Sequence, residues 1–334
     1  MELWACGFNA WNQLQFEDDL SDEPKDLFTF KRVLTSKGSI RIVGTSFSAC
    51  LGGLPCCSSI TAVSDDPLGS PEKIKVAGSP DGFLQAQLEQ INESRPSQNI
   101  STNATVAGND KIASFTPKTL TQYPSLPTYL SKTTPDFALP LPNITQLVSN
   151  TTTFTALTHS GTVYTWGDER YPSRLGRETS SSTPAHNPSP LSSLTSLPTG
   201  PIHKLSSSGP LTAALTTGHD LYIWGTTTIP SIIPELSQFP PSDNYDPIPL
   251  DIHGADILDF GIGENHMLVL TTEGEVYVIG ENGNGQLGLG EDEKGRCEEW
   301  RRVDLEFGEG AKKKCVGVWA GYKCSFVAVV DSSS

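Results

Sequence analysis

Six histidines and seven cysteines are the residues of this chain best suited to hold a metal or to attack a substrate. The cysteines are Cys6, Cys50, Cys56, Cys57, Cys297, Cys315 and Cys324. Their number is odd and no pair has C-x-x-C spacing, so neither a disulfide framework nor a structural zinc site is expected. Buried free thiols in a reducing compartment are the simpler expectation. His159, His203, His219 and His253 have no Cys or carboxylate partner at metal-ligand spacing. No H-E-x-x-H, G-x-S-x-G or G-K-[ST] motif occurs. The Gly-rich run 280–290 lacks the Lys and the following helical pattern of a phosphate loop, and its glycines read as turn positions. These residues predict no catalytic constellation, no cofactor and no resident metal.

The formal net charge of −15 argues against a grip on nucleic acid, which needs a basic patch facing the phosphates. The only basic runs, Arg301-Arg302 and Lys312-Lys313-Lys314, lie among carboxylates. No direct nucleic-acid partner is expected, and a protein partner fits better. No apolar stretch has the ~18 residues of a membrane-spanning helix. The start, Met1 to Cys6, lacks the basic and apolar regions of a signal peptide. The expected location is therefore cytoplasm, nucleus or both.

The elements that would position any site follow from composition and repeats. Of 334 residues, 36% are hydrophobic and 18% charged, with 30 Gly and 25 Pro. That disfavours a helical bundle and suits short strands joined by turns. One phrase recurs, an alternating apolar run that ends in an aromatic or small residue and Gly. It reads Leu3 to Gly7, Val163 to Gly167, Leu221 to Gly225 and Val276 to Gly280, with a weaker copy at Ile74 to Gly78. Gly167, Gly225 and Gly280 are 58 and 55 residues apart, one structural unit per period. A second phrase, strand, turn, strand and Gly-containing hairpin, precedes the later copies at Ile144 to Gly161, Ile202 to Gly218 and Ile257 to Gly274. A partial copy runs from Ile40 to Leu51, and another, Cys315 to Val330, lacks the following aromatic-Gly phrase. A third phrase follows at Asn9 to Leu14 and at Asn282 to Gly290, with only Arg174-Leu175-Gly176 left of it in between.

These residues carry a resemblance. Gly280-Glu281-Asn282-Gly283-Asn284-Gly285-Gln286-Leu287-Gly288, preceded by Gly263-Glu264-Asn265-His266, resembles the repeat of the regulator of chromosome condensation (RCC1-like) family. The likeness is closest over 257–290, good at 1–14, fair over 144–176 and 202–225, and poor over 52–143. It implies an all-β fold, a β-propeller of four-stranded blades, the fold also of beta-lactamase-inhibitor protein II. With five marked units, about five to seven blades are expected in a single domain. Residues 315–330 would share a blade with residues 1–14 and so close the ring. Residues 52–143 would be degenerate or inserted. Residues 179–202, rich in Ser, Thr and Pro and without charge, would be a flexible loop.

Within that frame His266 reads as a structural residue that bonds backbone between blades. Trp4, Trp166 and Trp224 read as core, and the acidic run Glu17 to Asp26 as a solvated loop. Two groups are candidate partner contacts. Trp11 stands in a loop where the repeat has Gly, and Trp300-Arg301-Arg302 follows an acidic run; a Trp beside Arg is interface chemistry. Arg170, Tyr171 and Arg174 form a similar loop set. The competing reading packs each Trp under its own blade and leaves the arginines solvated. The function expected is a non-enzymatic protein-interaction scaffold or regulatory subunit. The resemblance adds two alternatives. One is a guanine-nucleotide exchange factor for a small Ran-like GTPase. The other is an accessory partner of a transfer-RNA or diphthamide-modification enzyme or of a Jumonji-type hydroxylase.

Overall fold

The computed structural model describes the chain apart from residues 11, 17–22, 39, 50–54, 65–72, 79–102, 226–232, 238–244, 309, 311 and 333–334, and gives only the backbone of 41–49, 55–64 and 73–78. In chain order, β1 (Glu2–Gly7), β2 (Leu27–Thr35), β3 (Ile40–Ala49), β4 (Pro55–Ser64) and β5 (Lys73–Gly78) come first. Then follow β6 (Ala104–Val106), β7 (Ile112–Phe115), β8 (Thr119–Tyr123), helix α1 (Leu126–Ser131) and β9 (Phe137–Pro140). The recurring phrases form β10 (Ile144–Ser149), β11 (Thr153–Thr158), β12 (Val163–Gly167), α2 (Pro172–Leu175), β13 (Ser189–Pro190), β14 (Ile202–Ser208), β15 (Leu211–Thr216) and β16 (Leu221–Gly225). After α3 (Pro234–Ser237) come β17 (Ile248–Leu250), β18 (Ile257–Ile262), β19 (His266–Thr271), β20 (Val276–Glu281), β21 (Arg296–Val303), β22 (Lys313–Ala320) and β23 (Cys324–Asp331).

The chain divides into two compact units. The first, Met1–Thr102 with Leu258–Ser334, holds the sheets β2-β1-β23-β22 and β18-β19-β20-β21 and the three-stranded sheet β3-β4-β5. The second, Asn103–Ile257, holds β6-β7-β8-β9, β10-β11-β12-β13 and β14-β15-β16-β17. The expected sharing of one sheet by the two ends of the sequence is present: β1 pairs antiparallel with β23 from Glu2↔Val329 to Gly7↔Cys324. Met1 adds its ammonium to the Ser36 carbonyl at 2.8 Å. Glu2 on β1 accepts from the Trp4 indole at 3.0 Å and pairs with Arg32 on β2 and with Lys313 on β22. Burial pushes its carboxyl up, but these donors outweigh burial and hold it below the usual range.

The second strand of each well-marked repeat, TFTALT, LTAALT or HMLVLT, is buried along its whole length. These strands are covered on both faces, so their threonines are buried along with their apolar residues. Each fully buried Leu in them contributes about 1.5–3 kcal/mol. The hairpin after each is built on a threonine. The hydroxyls of Thr158, Thr216 and Thr271 accept the amide four residues on at 3.2, 3.0 and 3.1 Å. The tight turn then needs a left-handed residue, supplied by Gly161, His219 and Gly274. The glycine that ends each third strand has a different cause. A Cβ on Gly7, Gly167, Gly225 or Gly280 would lie within about 2.4 Å of a carbonyl oxygen in the turn before the second strand.

Neighbouring first strands are joined by a side chain at the third position. Gln146 on β10 accepts from the Leu205 amide at 2.8 Å and donates to the Leu205 carbonyl at 2.7 Å, so it mimics a strand against the open edge of β14. Asp259 on β18 accepts from the Val318 amide on β22 at 2.9 Å.

Three regions differ from, or add to, the sequence reading. Trp166 and Trp224 are buried core, whereas Trp4 is only half-buried. It stands two residues earlier in its strand, where the other copies have Tyr164, Tyr222 and Tyr277, and packs edge-on against Phe307 at 5.4 Å. Residues 103–140 form a four-stranded sheet that lacks the aromatic-Gly ending. There Gln122 takes the tryptophan's place and accepts the buried Trp166 indole N–H of the next sheet at 2.8 Å. Residues 179–202 contain β13, a short turn of helix at Ser192–Leu194, and buried Ala185, Leu191 and Leu194.

Candidate functional site

The loops that leave the third strands are the natural place for a site, because the rigid sheet fixes both of their ends. Two of them share one internal scaffold. Asn9 and Asn282, both buried, accept the amide five residues on, from Leu14 and Leu287, each at 2.9 Å. Their side-chain amides donate to Lys25 and Glu293 carbonyls. Asp26 ties the two loops together by accepting from the Asn9 amide and the Asn284 side chain, both at 2.9 Å. The glycine that ends the Gln-Leu-Gly phrase is a joint between sheets. A Cβ on Gly288 would meet the Phe30 ring at 2.5 Å, and one on Gly176 would meet the Trp224 indole at 2.8 Å.

The loop after β12 has lost the asparagine and carries the candidate contacts instead. Arg170, Tyr171 and Arg174 come together there. The Arg174 guanidinium lies 4.2 Å from the centre of the Tyr171 ring, and that of Arg170 lies 5.7 Å away. Arg174 donates to the Thr152 hydroxyl at 3.1 Å, while its buried Nε has no hydrogen-bond partner among the described residues. Burial pulls its pKa below the usual arginine value. Arg170 is 76% exposed and chelates the Asp168 carboxylate. Hydrogen bonds from Arg170 hold that carboxylate below its ordinary pKa against the opposing effect of burial. The product is a tyrosine ring with two guanidiniums within about 6 Å of its centre, at the start of a short turn of helix.

Trp300, Arg301 and Arg302 lie in the first unit, on the outer strand β21. Their strand bulges between Cys297 and Arg301, where the register against β20 shifts. Trp300 is half-buried. Arg301 pairs with Glu293 at 2.9 Å, and Arg302 with Glu275 at 2.9 Å and Asp304 at 3.3 Å. These arginines are thus neutralised by their own surface, and a partner there has to displace carboxylates. Trp11 lies outside the described residues.

His266 acts within the framework. Its Nε2 sits 3.2 Å from the Cys324 carbonyl and 3.1 Å from the Ser325 hydroxyl, on the neighbouring sheet. Burial lowers its pKa to about 4, so the ring is neutral near pH 7. Cys6, Cys315 and Cys324 are buried thiols. Burial raises Cys315 to about 11, so it is no nucleophile. Among the described residues no group of His, Cys, Asp and Glu is placed to hold a metal ion. No helix there is long and apolar enough to cross a membrane.

Sequence reasoning missed Arg177. It is 7% exposed, and all of its acceptors are neutral oxygens. Nε donates to the Thr165 hydroxyl at 3.1 Å, NH1 to the Glu178 and Thr183 carbonyls at 3.3 and 2.9 Å. NH2 reaches the Thr165, Pro184 and Asn187 carbonyls at 3.2, 3.2 and 3.4 Å. Burial alone lowers its pKa. The signal available was its position directly after the Arg174-Leu175-Gly176 remnant, where the last repeat has Leu289.

Comparison with known proteins supports the repeat and the fold. The family described as Regulator of chromosome condensation (RCC1) repeat matches residues 257–286. The chain is 32% identical over 150 residues to the RCC1 domain-containing protein RUG3, mitochondrial, of Arabidopsis thaliana, which covers 43% of this chain and 32% of that protein. It is 39% identical over 77 residues to the Ultraviolet-B receptor UVR8 of the same plant, covering 23% of this chain and 17% of that one. The chain thus spans about a third or less of the length of these curated relatives. Among solved structures it is similar to Prp20p of Saccharomyces cerevisiae, reported with its binding to Gsp1p and histones. The TM-score is 0.62 at 13% identity, over 100% of this chain and 92% of that one. Human WBSCR16 is similar with a TM-score of 0.51 at 16% identity, over 99% and 81% of the two chains. The fold is all-β and that of the RCC1-like β-propeller, with the four-stranded sheets as its blades.

Proposed function

We propose that this chain is a non-enzymatic protein-interaction scaffold or regulatory subunit, and that the loop after β12 is its principal contact. The observation that carries this reading is the pre-ordered Arg170–Tyr171–Arg174 cluster. A ring already packed against the Arg174 guanidinium loses little rotamer entropy on binding, and Tyr and Arg anchors dominate interface energies. The chemistry favours a partner segment with a carboxylate to replace Asp168 on Arg170 and an apolar group to cover Tyr171. Trp300 with Arg301 and Arg302 is the second contact in this proposal.

The test compares tagged wild-type chain with Tyr171→Ala/Arg174→Ala and with Trp300→Ala, captured from native extract at moderate salt. A stoichiometric protein partner that is lost with the first variant supports the reading. A partner indifferent to both variants, or none at all, refutes it. The same experiment separates the alternatives. A small GTPase bound more tightly once stripped of nucleotide would make the chain an exchange factor. A modification enzyme or its small accessory protein would make it an enzyme's regulatory partner.

A further inference from the structure

Arg177 is a cation buried without an anion. Its guanidinium is gathered by five carbonyl oxygens and one hydroxyl, and among the described residues no carboxylate pairs with it. Four of those carbonyls belong to the loop 178–187 and the fifth to Thr165 on β12; residues 178–182, Glu-Thr-Ser-Ser-Ser, are all exposed. The hydroxyls of this loop already form a cluster. Ser180 Oγ bonds Ser182 Oγ and Thr183 Oγ1, each at 2.9 Å, and accepts the Thr183 amide at 3.1 Å. Thr183 is followed by Pro184.

From this arrangement we infer that Thr183 is a phosphorylation site read by Arg177. The class of enzyme required is a proline-directed Ser/Thr kinase using ATP. Thr183 Oγ1 forms the new bond to the γ-phosphorus, the bond to ADP breaks, and the hydroxyl proton leaves to the kinase's base. The Thr183 carbonyl is 2.9 Å from Arg177 NH1. Covalent geometry puts Oγ1 of the same residue within about 5 Å of that carbonyl, so the atom that carries the new phosphate lies within about 8 Å of NH1. A phosphate there is a stronger acceptor than the carbonyls it competes with. NH1 exchanges the Glu178 and Thr183 carbonyls for phosphate oxygens, and the loop is re-formed around Arg177.

The other described Ser/Thr-Pro pairs lack this setting. Ser189 is 6% exposed within β13. Thr116 uses its hydroxyl to accept the Thr119 amide at 3.1 Å inside a hairpin turn. Thr134 is held at φ 42°. None of them has a buried cation bonded to its own backbone. The inference stands whether or not the loop after β12 binds a partner.

The experiment treats the full chain with a proline-directed kinase and ATP, beside a synthetic peptide of residues 176–190. Modified sites are mapped by mass spectrometry, and the phosphate is then titrated by phosphorus NMR in both. Thr183 is expected to be modified in the folded chain, and Thr183→Ala to remove that signal. The second ionisation of the phosphate, near ~6 when free, is expected about one unit lower in the protein than in the peptide, a tenfold difference in proton affinity. Modification of the peptide but not of Thr183 in the folded chain would overturn the inference. So would a phosphate that titrates identically in both, because Arg177 would then not be reading it.

Discussion

Replacing Gln146 by Met keeps the length of the side chain and deletes both of its hydrogen bonds. Leu205, whose amide and carbonyl it satisfies at 2.8 and 2.7 Å, is 1% exposed, so water has poor access to the orphaned groups. A buried backbone group without a partner costs about 1–3 kcal/mol, and partial relaxation of β14 recovers some of that. The expected loss is about 2–4 kcal/mol. With a urea m-value of about 2–3 kcal/mol/M, the unfolding midpoint falls by about 1 M while m itself stays constant. The Leu205 amide also exchanges faster with deuterium than its neighbours in the same strand. Gln146→Glu is the informative companion. It keeps an acceptor for the Leu205 amide but turns a carboxylate oxygen towards the Leu205 carbonyl, so it recovers no more than about half of the loss. A midpoint shift below about 0.2 M for Gln146→Met, with Leu205 exchange unchanged, would show that the strand edge is satisfied without Gln146. The account of how adjacent first strands are joined would then be wrong.

Other perturbations test other joints. Deleting Cys324–Asp331 removes the strand that links β1 to β22, and the expected result is loss of cooperative thermal unfolding by circular dichroism; a retained sharp transition would contradict the shared sheet. His266 has its folded pKa depressed to about 4 against an unfolded value near ~6.5, so its contribution is complete above pH ~6.5 and is lost as pH falls towards ~4. That is at most about 3.5 kcal/mol, and His266→Gln should flatten this part of the stability–pH curve relative to wild type in denaturation series. In one loop, Gly288→Ala should cost about 2–4 kcal/mol, because φ is 69° and its Cβ would meet Phe30. Gly283→Ala, with nothing within 4 Å, should change stability by no more than about 0.5–1 kcal/mol and in the stabilising direction. Equal effects in calorimetry would refute the packing argument.

The fold was legible where backbone geometry demands one residue type. Gly7, Gly225 and Gly280 take φ near 115°, 122° and 112°, beside a carbonyl that excludes any Cβ, so the same letter recurs and marks the period. The second strands were legible for the same reason, since burial on both faces restricts every position. Where one task can be done by several residue types, the pattern disappeared. Gln146 and Asp259 both reach a backbone amide 59 residues onward, but they are chemically unlike and their partners are main-chain atoms with no letter of their own. The sheet β6-β7-β8-β9 was hidden because Gln122 stands for a tryptophan and Tyr123 for the closing glycine. The hairpin threonines are equally regular, but Thr is common in this chain, so their spacing does not stand out. Of the candidate contacts, Arg170, Tyr171 and Arg174 could be grouped from adjacency alone. What adjacency could not show was that Arg301 and Arg302 are occupied by Glu293 and Glu275, or that Arg177 organises the uncharged segment that follows it.

The sheet shared by β1 and β23 also sets a timetable for synthesis. β1 can find β2 within the first few dozen residues, but its other edge waits for Cys324, 317 positions after Gly7. At about 5–20 residues per second, a ribosome takes roughly 15–60 s to deliver that partner. Throughout that interval the nascent chain carries an apolar strand with unpaired amides on one side, the kind of edge that recruits foreign strands. That edge stays open until Cys324–Asp331 has been made, so a holding chaperone bound at β1 during this interval should matter more to yield than one supplied after β23 has appeared.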